Sequence, residues 1–169
     1  MNIGGFEIDE KINIFKKELT LNGVAVRSKF FIQTYIISIY AEKSITQEQD
    51  AIDSNIERSL RMQIITPLAT PKVVSENIEN AMKAGLGNSY LQHKSLIDEV
   101  RSVIEKSAVQ YQDIIDIYYA KNGDFLLFKN GNEIYKNADG TLLITAIYNM
   151  YVGKNPKDKK IKSALLKGF

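Results

Sequence analysis

One arginine stands out among the residues whose type and position could do chemistry. Arg27 ends an apolar stretch and lies just ahead of the most hydrophobic segment of the chain. On strict β-strand alternation it shares a face with Phe31, Tyr35 and Ile37. Because an unpaired charge is too costly to bury, a guanidinium in such surroundings needs an anion or several acceptors. The pattern fits an anion clamp in an apolar cavity, with Tyr35 or Tyr40 as second donor, but a surface arginine or a structural ion pair also explains it.

The remaining polar residues predict no further chemical site. The carboxylate pairs Asp50/Asp53 and Asp113/Asp116 are flanked by solvent-type residues, so we expect them on a solvated surface. The chain has no cysteine and one histidine, His93. This composition excludes disulfides, thiolate chemistry and cysteine zinc sites, and it argues against a Ser-His-Asp triad. No phosphate-binding glycine motif is present. We therefore expect neither a metal nor a cofactor.

The C-terminal stretch from Lys154 to Lys167 is basic. It holds six lysines against a single acid, Asp158. An exposed helix face is the simplest interpretation, and contact with an anionic surface is the alternative. Nucleic-acid binding would also need arginine and aromatic stacking groups, which this stretch lacks, and the net charge of the chain is only +2. We expect no nucleic-acid partner.

Length and composition predict one ordinary globular domain covering residues 1–169. The chain is 44% hydrophobic and 25% charged. It contains no apolar run long enough to span a membrane, and no basic-then-apolar leader opens it, so we expect a soluble monomer. The absence of cysteine is compatible with either cytoplasm or periplasm.

The order of predicted elements is strands, helices, strands, helices. Two strand segments flank an Asn22-Gly23 turn signal, and a third strand covers 30–41, with a reversal or bulge near Ser28-Lys29. Three late strands, 114–120, 124–129 and 132–136, are separated by Asn-Gly turns. The pattern predicts an α+β fold in which helices cover one face of an antiparallel sheet.

Capping residues predict where the helices begin. Thr70-Pro71 starts a long helix that ends near Gly85, and Ser89 caps the next. Asp139 caps a helix that stops at Gly153, and the segment around Asp158 resembles a cap for a last helix. A short polar helix is expected over 46–54, and a strand over 60–65.

Three collinear segments carry a family resemblance. Residues 21–42, LNGVAVRSKFFIQTYIISIYAE, resemble the second and third strands of the chalcone isomerase-like family. Residues 72–85 are similar to that family's first long helix, and residues 146–168 to its closing signature, which ends in Leu-Leu-x-Gly. The resemblance implies an open-faced β-sandwich: a large antiparallel sheet, a helical layer, and a ligand cleft between them.

The same resemblance bears on activity. True chalcone isomerases carry six polar residues in the cleft, and their positions correspond here to Arg27, Tyr35, Thr70, Val73, Asn77 and Met150. Only the arginine and the asparagine are kept. The reaction adds a phenolate across an enone and needs several positioned donors, so a cleft with this set should bind but turn over poorly. The Arg-plus-Tyr pair is similar to the non-catalytic fatty-acid-binding branch of the family.

Our leading hypothesis is a non-catalytic binding protein for a hydrophobic anionic small molecule, such as a fatty-acid-like carboxylate. Arg27 and Tyr35 would hold the head group beside Asn77. The expected apolar lining consists of Phe31, Ile37, Val74, Ile78 and Met150. One alternative is an intramolecular lyase of the chalcone isomerase type. Another is an interaction or envelope-surface module that uses the basic C-terminal helix and has no internal cavity. An open cleft beside Arg27 would separate these hypotheses.

Overall fold

A computed structural model gives the structure of residues 1–29 and 31–169. Its strands are β1 (Asn2–Ile3), β2 (Phe6–Glu7), β3 (Lys11–Ile14), β4 (Lys17–Lys29), β5 (Ile32–Ala41), β6 (Arg58–Ile64), β7 (Ile114–Tyr119), β8 (Phe125–Lys129) and β9 (Asn132–Asn137). Strands β3 to β9 form one antiparallel sheet in chain order, and β1 pairs with β2 separately. Sequential antiparallel pairing needs only short connections, which agrees with the turn signals in the sequence.

The helices are α1 (Glu48–Ile52), α2 (Pro71–Leu86), α3 (Lys94–Lys106), α4 (Thr141–Val152) and α5 (Lys159–Leu165), with a 3₁₀ helix at Gly87–His93. Alternate strand residues such as Ile37 and Ile117 form a continuous apolar core with helix residues such as Ile147. The opposite face carries a second, smaller cluster around Tyr40 and Tyr118. The predicted α+β architecture, with a large antiparallel sheet covered by helices, is confirmed. None of the helices in the described residues has the length and low charge that crossing a bilayer requires.

The chain reverses direction close to Ser28-Lys29, as the sequence predicted. Strand β4 ends at Lys29 and β5 begins at Ile32, with a bulge between Arg27 and Ser28. Phe30, the first residue of the predicted strand, lies outside the described residues. The late hairpins also form as predicted. Asn130 and Gly131 both have positive φ, 50° and 80°, as a two-residue type I′ turn requires.

The turn predicted at Asn22-Gly23 is wrong. Strand β4 continues through both residues, with a bulge between Leu21 and Gly23. The buried Asn22 side chain donates to the carbonyl oxygens of Ile45 (2.8 Å) and Leu165 (2.7 Å) and accepts from the Ile45 amide (2.7 Å). A Cβ at Gly23 would lie 2.5 Å from the Leu165 carbonyl oxygen. The pair therefore docks α5 on the sheet instead of reversing the chain.

Two helix starts agree with the capping signals. Thr70 accepts from the Val73 amide (3.2 Å) with Pro71 as first residue of α2, and Asp158 caps α5. Two other predicted caps are wrong: a neighbouring residue caps one helix, and the other predicted cap lies inside a 3₁₀ helix. The cap of α4 is Gly140 rather than Asp139, and Ser89 lies inside the 3₁₀ helix.

Candidate functional site

A row of three side chains crosses the sheet near the β4–β5 turn. Arg27 pairs directly with Tyr35, and Tyr35 pairs directly with Ile64 on β6. Directly opposed residues of antiparallel strands share a face, with Cβ atoms about 5 Å apart. A cation, a phenol and an aliphatic group therefore lie side by side in that order. Arg27 and Tyr35 share a face, as alternation predicts, but the cause is pairing across the hairpin.

Helix α2, which packs on the sheet, also carries apolar side chains at one end of the row and polar side chains at the other. Val74, Asn77 and Asn80 are spaced three residues apart, so they follow one face of the helix with a rise of about 4.5 Å at each step. Val73 precedes Asn77 by four residues and lies on the same side. The first turn of α2 therefore presents valines beside Ile64, and the next turns present amides toward Arg27.

Two adjoining cavities lie between these strands and α2. The first, which we call the apolar cavity, has a volume of about 160 Å³ and is lined by Ile32, Thr34, Tyr35, Ile64, Thr66, Leu68, Ala69, Val73, Val74 and Asn77. The second, which we call the polar recess, has a volume of about 330 Å³ and is lined by Arg27, Thr34, Tyr35, Asn77, Asn80, Met150 and Lys157. Thr34, Tyr35 and Asn77 border both cavities. Together they fall within the size range of small-molecule sites, roughly 300–1,000 Å³.

The polar recess carries a partly neutralised positive charge. The Arg27 side chain is 28% exposed, and its Nη1 lies 3.8 Å from Oδ2 of Asp158. Asp158 also accepts from the backbone amides of Lys160 (2.9 Å) and Ile161 (3.2 Å) as the cap of α5. Lys157 adds a second cation at the wall of the recess. Among the side chains that the structure describes, these two cations and the carboxylate of Asp158 beside Arg27 sum to one net positive charge.

Tyr35 is held by a partner from the helical layer. Its hydroxyl lies 2.8 Å from that of Tyr151 on α4, and both side chains are buried. Burial raises the pKa of Tyr35, although the hydrogen bond with Tyr151 and the charge of Arg27 offset part of this rise. Burial raises the pKa of Tyr151 well above 10, and Tyr35 adds to this effect. Both phenols therefore stay protonated and can donate hydrogen bonds.

Five of the eight site residues proposed from the sequence border these cavities: Arg27, Tyr35, Asn77, Val74 and Met150. The other three do not. Phe31 lies in the β4–β5 turn with a φ of 66° and is fully exposed, because strand alternation stops at the turn. Ile37 and Ile78 are fully buried in the continuous core and border neither cavity.

Tyr151, Asn80 and Lys157 also belong to this site and were not predicted from the sequence. Asn80 follows Asn77 by three residues, so helical periodicity applied to the next turn of the helix could have predicted it. Tyr151 and Lys157 come from α4 and the segment before α5, and no local pattern connects them with β5. Of the basic C-terminal stretch, Lys157 borders the recess, while Lys162 donates to Glu48 (2.9 Å) and to the Gly153 carbonyl oxygen (2.8 Å).

The most deeply buried arginine is Arg58 and not Arg27. Arg58 is 0% exposed, and its guanidinium lies over the rings of Tyr119 (4.7 Å) and Tyr148 (5.1 Å). Its Nη1 donates to the carbonyl oxygens of Asp53 (2.7 Å) and Ile56 (2.6 Å). Burial lowers the pKa of Arg58, and the tyrosines and Asp53 offset part of this effect. This cation is enclosed by the core, away from both cavities.

The prediction that Asp113 and Asp116 are solvated is also wrong. Asp116 is buried and accepts two hydrogen bonds from Arg61, at 2.8 and 3.0 Å. Asp113 is buried near the β8–β9 turn, where it accepts from Asn130 (2.7 Å). These carboxylates have protein partners and therefore hold the sheet together. In the described part of the chain, no group of His, Asp and Glu is arranged to hold a metal ion.

Comparison with known proteins agrees with the fold. No curated protein sequence matches the chain. Among solved structures, the chain is similar to a fatty-acid binding protein of Arabidopsis thaliana, with a TM-score of 0.70 and 18% identity over 96% of this chain and 92% of that one. At this identity the likeness shows a shared fold. A family model described as chalcone isomerase-like matches residues 1–167. The chain therefore belongs to the chalcone isomerase-like family.

Proposed function

We propose that this protein is a non-catalytic binding protein for a hydrophobic small-molecule anion with a carboxylate head. The observation that carries the proposal is that an apolar and a polar cavity lie next to each other and share Thr34, Tyr35 and Asn77 as lining residues. Arg27 in the polar recess offers a charged, forked donor for a carboxylate. The adjoining apolar cavity removes the hydrocarbon part of the ligand from water.

The protonation state of the site favours binding over proton transfer. The pKa values of Tyr35 and Tyr151 are both raised, so their hydroxyls donate hydrogen bonds at neutral pH and are poor general bases. The similar plant structure is that of a fatty-acid binding protein, which agrees with a carboxylate ligand here. A carboxylate head and an apolar tail match the order of side chains from Arg27 to Ile64.

A comparison of acids with amides tests this function. Straight-chain acids from butyrate to palmitate are offered to the protein and their retention is measured by native mass spectrometry and calorimetry. The matched amides serve as neutral controls, because they keep the tail and lose the charge. We expect acids to bind and amides to bind at least tenfold more weakly, since a hydrogen bond to a charged group contributes about 1.5–3 kcal/mol. Retention of no acid of any length would exclude the proposal, and so would equal binding of acids and amides.

The second candidate is an intramolecular lyase of the chalcone isomerase type. Arg27, Tyr35 and Asn77 border one recess, which is the observation in its favour. Other positions that are polar in true chalcone isomerases argue against it. Val73 and Met150 have no hydrogen-bond donor in their side chains, and the Thr70 side chain caps α2. A cyclisation assay with a chalcone separates the two functions, because an enzyme would show a rate above background that Arg27→Met removes.

A further inference from the structure

The size of the apolar cavity limits the ligand's tail. At about 160 Å³ it is close to the roughly 150 Å³ of an aliphatic-lined cavity that holds one benzene molecule. Its inner walls, Ile64 and Val74, are buried. Ile37, two residues beyond Tyr35 on β5, and Ile78, one turn beyond Val74 on α2, are fully buried in the same core. A tail therefore cannot extend between the sheet and the helices without displacing core side chains, which close-packed interiors resist.

The outer side of the cavity gives a longer chain little to bind. Ile32, Leu68 and Val73 form its rim, and all three are exposed. Methylene groups that pass the rim stay in contact with water on one side. Because the hydrophobic contribution scales with the apolar area removed from water, each such methylene adds little affinity.

The head-group compartment is the larger of the two. The polar recess has about twice the volume of the apolar cavity and is bordered by the amides of Asn77 and Asn80 as well as by Arg27 and Lys157. With the charge of Asp158 subtracted, the described side chains leave one net positive charge at this recess. This balance fits a monoanion rather than a dianion.

We propose, on the basis of the binding function above, that the site selects small monocarboxylates whose apolar part is one six-membered ring or a chain of about six carbons. Phenylacetate and hexanoate are of this kind, and long-chain fatty acids are not. The preference follows from the packed core to which Ile64 and Val74 belong. The head group does not set it, because every straight-chain acid has the same head group.

Affinity across a homologous series tests this preference. Each methylene that enters the cavity should tighten binding about fourfold, so calorimetry should show a steep rise from butyrate to hexanoate. Beyond octanoate the affinity should level off or fall, and phenylacetate should bind as tightly as hexanoate. A continued rise through decanoate to palmitate would overturn the size limit and leave the binding function standing. Failure of every acid would instead exclude the binding function.

Resizing the cavity provides the second readout. Val74→Ala removes two methyl groups from the inner wall, so we expect the best-bound acid to become longer by one or two methylenes. Val100→Ala, a buried valine on α3 away from the cavity, is the matched control and should leave the optimum unchanged. Ala69→Leu should fill the cavity and weaken hexanoate more than butyrate. An unchanged length optimum in both cavity variants would show that the tail lies elsewhere.

Discussion

Asp158 and Arg27 form an ion pair beside the polar recess, with Oδ2 of the carboxylate 3.8 Å from Nη1 of the guanidinium. The other carboxylate oxygen of Asp158 caps α5. The same side chain thus starts a helix and partly neutralises the cation that we propose as the ligand's anchor. A bound carboxylate would have to share Arg27 with it.

Asp158→Asn should therefore strengthen anion binding. Asparagine caps a helix about as well as aspartate, so α5 should keep its start, while the competing charge is lost. We expect hexanoate to bind about two- to fivefold more tightly, in line with the 0.2–1 kcal/mol of an exposed ion pair. Calorimetry measures the affinity and urea unfolding checks that stability is unchanged. Weaker binding in this variant would mean that Asp158 contacts the ligand itself.

Arg27→Met should remove most of the binding at little cost in stability. Methionine keeps the apolar stem and loses the charge, and the ion pair that it breaks is partly exposed, so the free energy of unfolding should change by no more than about 1 kcal/mol. Affinity for hexanoate should fall by about ten- to a hundredfold. Arg101→Met is the matched control, because Arg101 is similarly exposed (34%) and pairs with Glu79 and Glu105 on the helical side. Equal affinity in the two variants would remove Arg27 from the site.

The buried pair Tyr35 and Tyr151 predicts a loss of stability in alkali. Their pKa values are raised in the folded protein, so their contribution is complete below the unfolded value of about 10 and is lost as the pH rises further. Tyr151→Phe removes one of these groups and one hydrogen bond. At neutral pH it should lower the free energy of unfolding by about 1 kcal/mol, and above about pH 10 it should make the pH dependence shallower.

Urea unfolding at neutral pH and in alkali measures both effects of Tyr151→Phe. The exposed Tyr111 provides the control variant, Tyr111→Phe, which should leave the neutral-pH stability unchanged. If Tyr151→Phe and the wild type lose stability with the same slope above about pH 10, the pair does not contribute as described.

Asn22 should be critical for the position of α5. Its side chain makes three hydrogen bonds to backbone groups of Ile45 and Leu165, and it is buried. Asn22→Ala leaves those backbone groups unpaired and should lower the free energy of unfolding by about 3 kcal/mol. Asn13→Ala on β3, where the side chain is exposed, is the control. A cost below about 0.5 kcal/mol for Asn22→Ala, measured by urea unfolding, would contradict this role.

Local signals were sufficient for most of the architecture. Thr70-Pro71 predicted the start of α2, because a side-chain cap and a fixed φ act within one turn. Asn130-Gly131 predicted a hairpin, because its type I′ geometry depends on those two residues alone. Periodicity also placed Arg27 and Tyr35 on one face, although the cause is their pairing across the β4–β5 hairpin.

For other residues, the tertiary structure decided the position and the role that the residue type alone did not determine. Asn22-Gly23 has the composition of a hairpin turn, yet α5 supplies acceptors for Asn22 and leaves room only for glycine at 23. Arg58 has no sequence signal for full burial, since its partners are the rings of Tyr119 and Tyr148, which are 61 and 90 positions further along.

Some features of the candidate site likewise follow from the sequence, and others follow only from the tertiary structure. The sequence by itself determined the residue types that we propose for anion binding and the strand and helix that carry them. The size of the apolar cavity, the Tyr35–Tyr151 hydrogen bond and the partial neutralisation of Arg27 by Asp158 arise only when α2, α4 and α5 pack on the sheet. The physical reason is that propensity and periodicity act over a few residues, whereas volume and charge balance are set by side chains that only folding brings together.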